Sequence, residues 1–344
     1  MTVTAKMIAK ELGVSPSAVS LALNGKNGIS EDTRKSIIEK ATEMGYFESR
    51  FDPTQKSPGN IRFVVYDGRK DVVNEIPFYS YVLRGVEIRA KELGYNTLVS
   101  YYNSQSITHE ETEELCKGVD GILFMGTELH REDFSGKVFL KQLPCPVVMI
   151  DNGLFGDYID SVVTDNLRGA YKAIEYLVKW GHKRIGYLSS RQRIPNFDER
   201  SMGVELARKE HPDISIEQIP VSFATKRSVR DIEQWIETTE ELPTALFADS
   251  DMIAFGAIQA LTGHGFRVPE DISVIGFDDM DACRLVNPPL TTIQVMKVQM
   301  GMAAFTLLEN RIRGKYTVLG DDACFNLTVT TKVKERKSVT NPAR

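Results

Sequence analysis

From Ile61 onward, short apolar runs alternate with amphipathic segments, and that alternation leaves few folds open to the chain. Ile61–Tyr66, Thr97–Tyr101, Gly121–Met125 and Val147–Ile150 read as buried strands, with helices beginning near Pro77, Thr108 and Ser135. A second round follows in Ser161–Val163, Arg184–Leu188, Ile216–Val221, Ala245–Ala248 and Ile272–Phe277. Helices starting near Asn166, Glu199, Ser228 and Asp251 separate these strands. Strand–helix repetition at this spacing predicts parallel, doubly wound sheets covered on both faces. Two such sheets in succession leave a cleft between lobes, where a small ligand sits at the carboxyl ends of the strands.

A chain of 344 residues exceeds one typical domain, and its 42% hydrophobic content is enough for more than one core. No apolar run approaches the roughly 20 residues of a membrane span, and no apolar signal segment follows Met1. The expected location is therefore the cytoplasm, with no membrane partner. Cys116, Cys145, Cys283 and Cys324 are scattered, without a CxxC pair or a nearby histidine cluster. Idle thiols in a reducing compartment fit that spacing better than disulfides or zinc, and no metal or other cofactor is expected.

The first fifty residues have a different texture. Met7, Ile8 and Leu12 share one face of a short helix, Gly13-Val14-Ser15 supplies a tight turn, and Ser15 is a suitable N-cap for Pro16–Leu23. Asn24-Gly25 ends that second helix. Ser30 then caps a third, expected over Glu31 to Met44 and stopped by Gly45. Two short helices joined by a Gly-containing turn are the geometry that lays a recognition helix in the DNA major groove. Bulk charge gives little help. The whole chain carries −5, and in residues 1–56 eight Lys and Arg stand against seven Asp and Glu, leaving +1. Phosphate contact must then come partly from hydroxyls, backbone N–H groups and helix N-termini, and useful affinity requires pairing two headpieces.

The ordered set Ile8-Ala9, Gly13-Val14-Ser15, Ala18-Val19-Ser20, Leu23-Asn24-Gly25, Ile29-Ser30 to Thr33-Arg34 and Gly45-Tyr46 resembles the headpiece of the lactose-repressor (LacI/GalR) family of bacterial transcription regulators. Later motifs extend the resemblance: Asp165-Asn166 with Gly169-Ala170, Gly181–Ile185, Glu199–Gly203, Asp249-Ser250-Asp251, Val268–Asp279 and Pro289–Ile293. The resemblance implies an all-α helix-turn-helix headpiece followed by α/β: two doubly wound parallel-sheet lobes, similar to periplasmic sugar-binding proteins, with interlobe crossovers. Its expected boundaries are 1–47 for the headpiece, 48–60 for a linker, and 61–334 for the effector-binding domain. Lobe 1 is expected at about 61–159 and 292–318, lobe 2 at about 160–290 and 319–334, and a tail at 335–344. The final strand, near Cys324–Val329, is expected in lobe 2.

By the same resemblance, Pro16, Ser17 and Leu21 face base edges, while Thr4, Ser15, Ser20 and Asn24 face phosphates; Ser15 and Ser20 also read as plain caps. Many relatives carry Arg at the position of Leu21, where it makes a bidentate bond to guanine; leucine offers only apolar contact, for example to a thymine methyl. The segment Phe47–Asn60 departs from the family's hinge helix. Pro53, Pro58 and Gly59 disfavour a continuous helix there, so Phe51 is either an apolar wedge or part of a plain linker.

For the effector, motif position points to Phe78, Asp151, Arg200, Ser250 and Asp278. Sugars need forked donors and carboxylates for vicinal hydroxyls and an aromatic face for the ring, which these side chains supply. The competing roles are a salt bridge for Arg200 and Asp278 and a core aromatic for Phe78. His182 reads as a helix C-terminal cap and Trp235 as core. The expected function is a homodimeric transcription regulator, most simply a repressor, with double-stranded operator DNA and a small sugar as partners. A protein-partner or nucleobase-controlled regulator and a transport-associated sugar-binding protein are the alternatives. An enzyme is disfavoured. Asp278-Asp279 are adjacent and point oppositely, and no phosphate loop, metal cluster or nucleophile triad is present in the sequence.

Overall fold

The computed structural model describes residues 4–23, 28–44, 59–68, 78–102, 114–130, 143–154, 159–315 and 323–342. The chain divides into two compact units, Met1–Pro58 and Gly59–Arg344. In the first, α1 (Ala5–Leu12), α2 (Pro16–Leu23) and α3 (Glu31–Glu43) close on a small core of Ile8, Ala9, Val19, Ala22, Ile37 and Ala41. Gly13 ends α1 at φ 65°, a left-handed conformation that glycine adopts at little cost. The Oγ of Ser15 accepts the Ala18 N–H at 3.1 Å and the Oγ of Ser30 accepts the Thr33 N–H at 3.2 Å. Both serines therefore cap helices, each contributing about 1 kcal/mol. The linker through Pro58, with Phe51, lies outside the described residues, as do Asn24 and the region of the helices expected near Thr108 and Ser135.

The second unit holds two six-stranded sheets. The first is built on β1 (Asn60–Tyr66), β2 (Asn96–Tyr102), β3 (Gly121–Met125), β4 (Val147–Ile150), β5 (Asp160–Thr164) and β11 (Asn326–Val329), in the order β11-β5-β4-β3-β1-β2. The second contains β6 (Arg184–Ser190), β7 (Ser215–Val221), β8 (Ala245–Ala248), β9 (Ser273–Asp278), β10 (Thr291–Gln294) and β12 (Lys332–Lys334), in the order β12-β10-β9-β8-β6-β7. All pairings are parallel except β10–β12. The strands β3, β4, β8 and β9 are buried along their whole length, as expected for parallel sheets covered on both faces.

Helices α4 (Phe78–Leu93), α5 (Asn166–Lys179), α6 (Pro195–Glu210), α7 (Thr225–Thr238), α8 (Asp251–Gly263) and α9 (Lys297–Ile312) link the strands. Helix α6 begins at Pro195 rather than near Glu199, because proline is favoured at a first helical position. Helices α4 and α9 cross in close contact. A Cβ on Gly85 would lie 2.0 Å from the Val298 carbonyl oxygen, and one on Gly301 2.0 Å from that of Val82.

Four placements differ from the sequence expectation. β5, assigned to lobe 2, pairs with β4 in the first sheet. β10, assigned from Thr292 to lobe 1, pairs with β9 in the second sheet. β11 joins the first sheet through β5, not lobe 2. The chain thus passes between lobes after β5, after β10 and after β11, each time one strand later than the motifs suggested. An apolar run reports burial but not which sheet it joins. The fourth concerns 335–342, which is no free tail. Ser338 and Val339 are buried, with Ser338 bonded to Val274 on β9 and Thr291 on β10. His182 holds this segment too, its ring nitrogens 2.9 Å from Thr244 Oγ1 and 2.9 Å from the Thr340 carbonyl. Its backbone N–H bonds the Leu177 carbonyl at 3.1 Å and caps the end of α5 as expected, so His182 is both cap and tether. Trp235 is partly buried against the core of the second lobe, as expected.

Candidate functional site

The carboxyl ends of β3, β4 and β9 and the N-termini of α4 and α6 converge on one cavity. It is lined by Phe78, Tyr79, Met125, Thr127, Asp151, Ile194, Asn196, Phe197, Arg200 and Asp278. It encloses about 460 Å³ of non-atom space, a figure that includes open solvent at its mouth. Of the five residues expected to bind an effector, Phe78, Asp151, Arg200 and Asp278 line this space. Ser250 does not. Its buried hydroxyl accepts the Ile253 N–H at 3.4 Å and caps α8, so it belongs to the scaffold.

Arg200 projects from the second turn of α6 into a cage. Its Nε donates to Asn166 Oδ1 at 3.0 Å, Nη1 donates to the Asp249 carbonyl, and Nη2 donates to Asp278 Oδ1 at 3.3 Å. The guanidinium carbon lies 3.7 Å from the centre of the Phe277 ring and 5.3 Å from that of Phe197. Stacking and three bonds fix one orientation of the fork. Asp278 ends β9 at φ 117° and Asp151 follows β4 at φ 63°, both in the region that L residues other than glycine rarely occupy. Strain of this kind persists where surrounding contacts enforce it, and it is common at ligand sites. Here Lys297, at the start of α9, donates to the carbonyls of Asp278 and Asp279 and so holds that bend.

The carboxylates are not equivalent. Burial pushes Asp151 up to about 7, opposed by the Thr127 hydroxyl, which donates to it at 2.8 Å, and by the charge of Arg200. Asp278 is also raised by burial, with Arg200 and then Lys297 acting to lower it. Asp249, behind Arg200, is pushed up to about 6 by burial although it accepts from the Tyr187 hydroxyl and the Ser190 N–H. Two acidic groups, Asp151 and Asp278, and one guanidinium therefore line the cavity and offer acceptors and a forked donor together, beside the rings of Phe78, Tyr79 and Phe197. Such a set fits a polyhydroxylated ligand with an apolar face.

Sequence reading did not single out Thr127, Ile194, Asn196 or Phe197. Thr127 lies just past β3, and a search of every strand's carboxyl end would have found it. Of the other three, Ile194 is the N-cap of α6 and Asn196 and Phe197 lie on its first turn, one turn before Arg200. The supporting Asn166 and Asp249 lie in motifs already noted, but sequence gave them no partner.

In the headpiece, Ser15, Pro16, Ser17 and Ser20 are exposed, and Leu21 is half-buried. Thr4 is the exposed N-cap of α1, with no cap bond from its side chain. Ser15 and Ser17 share a 2.9 Å hydrogen bond at the start of α2, and Arg34 donates to the carbonyls of Leu21 and Ala22 near its end. The exposed hydroxyls at the start of α2 form a surface suited to phosphate contact.

Residues 4–49 match the bacterial regulatory proteins of the lacI family, and residues 174–339 match the periplasmic binding protein-like domain. The transcriptional repressor CytR of Escherichia coli K12 is 30% identical over 323 residues, 92% of each chain. The chain belongs to the lacI family of bacterial regulatory proteins. The repressor PurR of Haemophilus influenzae PittEE is 31% identical over 345 residues, 98% of each chain. Among solved structures, the transcriptional regulator CelR in complex with cellobiose is 25% identical, with a TM-score of 0.67 over 98% of this chain and 99% of that one. This lacI-family chain is thus a helix-turn-helix transcription regulator, and its relatives CytR and PurR are repressors rather than enzymes. Among the described residues no helix is long and apolar enough to cross a membrane.

Proposed function

We propose that this protein is a repressor whose operator affinity is set by a small sugar or sugar-containing effector bound between its two lobes. The observation that carries the reading is the convergence of Phe78, Asp151, Arg200 and Asp278 on one cavity. Arg200 forks toward vicinal hydroxyls, Asp151 and Asp278 accept from them, and Phe78 covers an apolar ring face. The cellobiose in the CelR complex supports the same ligand class. Closure around the ligand alters the angle between lobes at the three interlobe passages, and this is the conformational signal.

At the other end, two headpieces of a homodimer read a palindromic operator. Pro16, Ser17 and Leu21 meet base edges, and Thr4, Ser15, Ser20 and Asn24 meet phosphates. Pairing is required because a headpiece near +1 gains little from bulk charge. Binding at the two sites is coupled and reciprocal: the effector changes operator affinity by the factor by which operator changes effector affinity.

The test is a melting-temperature screen of sugars, sugar phosphates and nucleosides, followed by titration of each hit with and without the DNA preferred in a randomised-operator selection. A hit whose affinity differs between the two titrations supports the reading. Hits with equal affinities, or a protein that selects no DNA sequence, overturn it.

A further inference from the structure

We propose that Cys116 and Cys145 form an intramolecular disulfide when the protein meets a peroxide-class oxidant, making the base of β3 and β4 a reversible redox modification site. The two sulfurs stand 3.4 Å apart and both residues are only partly buried. A disulfide needs about 2.05 Å, so each thiol has only a small rotation to make. The backbone that carries them is held. The Asp120 N–H bonds the Asn60 carbonyl at 2.8 Å just after Cys116, and the Ile122 N–H bonds the Pro146 carbonyl at 2.9 Å just after Cys145. Pro144 and Pro146 flank Cys145 and restrict its backbone further.

The pair is also asymmetric. Cys145 donates its S–H to the sulfur of Cys116, and burial together with that bond pushes it up to about 12. Cys145 therefore keeps its proton, which points at the sulfur of Cys116. Arg62 stands beside the pair, its Nη2 donating to the Lys117 carbonyl at 3.3 Å, and its charge opposes only part of the rise at Cys145. A partly exposed sulfur in contact with a second thiol is the geometry by which a sulfenic acid, once formed, is resolved as a disulfide.

The chemistry balances in two steps. The Cys116 thiolate attacks one oxygen of hydrogen peroxide; the O–O bond breaks, an S–O bond forms, and the departing hydroxide leaves as water after taking a proton. The Cys145 sulfur then attacks the sulfenic sulfur. An S–S bond forms, the S–O bond breaks, and the Cys145 proton leaves with the hydroxide as a second water. The two sulfurs together lose two electrons to the peroxide, and a thiol reductant reverses the result. The cross-link ties the amino ends of β3 and β4, opposite the carboxyl ends that line the cavity.

The experiment uses the reduced full-length protein, freed of reductant and treated with a small excess of hydrogen peroxide. Thiols are then blocked and the protein is digested without reduction for mass spectrometry. The expected result is a loss of two of the four thiols and a linked peptide joining Cys116 to Cys145 within monomer-sized protein, both reversed by dithiothreitol. C116S and C145S should each abolish the linked peptide, and C324S should leave it intact. Retention of all four thiols, stable sulfinic acid at either residue without the link, or a link through Cys283 or Cys324 overturns the proposal. The primary measurement is on the wild-type chain, so it stands whether or not a variant folds.

Discussion

Arg200 Nη2 and Asp278 Oδ1 stand 3.3 Å apart, and each side chain is about 5% exposed or less. Both also face the cavity, so the pair spans two roles that sequence left as alternatives: salt bridge and ligand contact. Breaking one partner of a buried pair leaves an uncompensated charge, at a cost of about 3–5 kcal/mol. R200M should therefore lower stability in chemical denaturation by that order, and the double variant R200M/D278N should recover much of it while effector binding stays lost. Equal stability of the single and double variants would contradict this account.

Asp151 gives a pH signature. Its carboxyl, ordinarily near 3.8, is pushed up to about 7 in the folded state. The folded protein therefore holds a proton that the unfolded chain releases between these values, and stability declines as pH rises through that window. Above it the full cost of a buried carboxylate is present. D151N should raise the melting temperature at pH 8, by an amount that shrinks to roughly a third at pH 5, following the fraction of the window crossed. A pH-independent effect would assign the change to packing instead.

Phe78 touches the cores of both lobes and lines the cavity. F78A should weaken effector binding by about tenfold or more, since a ring contact contributes roughly 0.5–1.5 kcal/mol beyond its buried area. Calorimetry with the screening hit measures it. F78Y should retain affinity if the ring face is what matters.

The α4–α9 crossing depends on two missing side chains. In G85A the new methyl would meet a backbone carbonyl at 2.0 Å, which no rotamer change relieves. The helices must separate, and the loss should be in the range of about 1–3 kcal/mol or above. Urea denaturation of G85A and G301A, compared with G263A at an exposed helical glycine whose Cβ would meet nothing within 4 Å, separates contact from backbone effects.

Leu21 sets a limit on operator choice. L21R should shift the selected operator toward guanine at one symmetric pair of positions, by about 1–3 kcal/mol of discrimination per bidentate contact. A randomised-operator selection with both proteins reads it directly. An unchanged selection would remove Leu21 from the base-reading surface.

Local chemistry made much of this protein legible from its sequence. Gly13, Ser15 and Ser30 announce the headpiece helices because turns and caps are set within a few residues of themselves. The buried strands announce themselves because burial on both faces requires continuous apolar runs. Four of the five expected effector residues line one cavity, since strand ends and helix starts converge at the carboxyl edge of parallel sheets. The tertiary structure decided what depends on distant partners. β5, β10 and β11 went to the opposite sheet from the one expected, because hydrogen-bonded edges, not hydrophobicity, choose a strand's neighbour. Ser250 became a cap, His182 a tether for residues 335–342, and Thr127 and Asn196 cavity residues. Cys116 and Cys145, 29 positions apart in a sequence with no CxxC motif, were brought within 3.4 Å by parallel pairing of the strands that follow them.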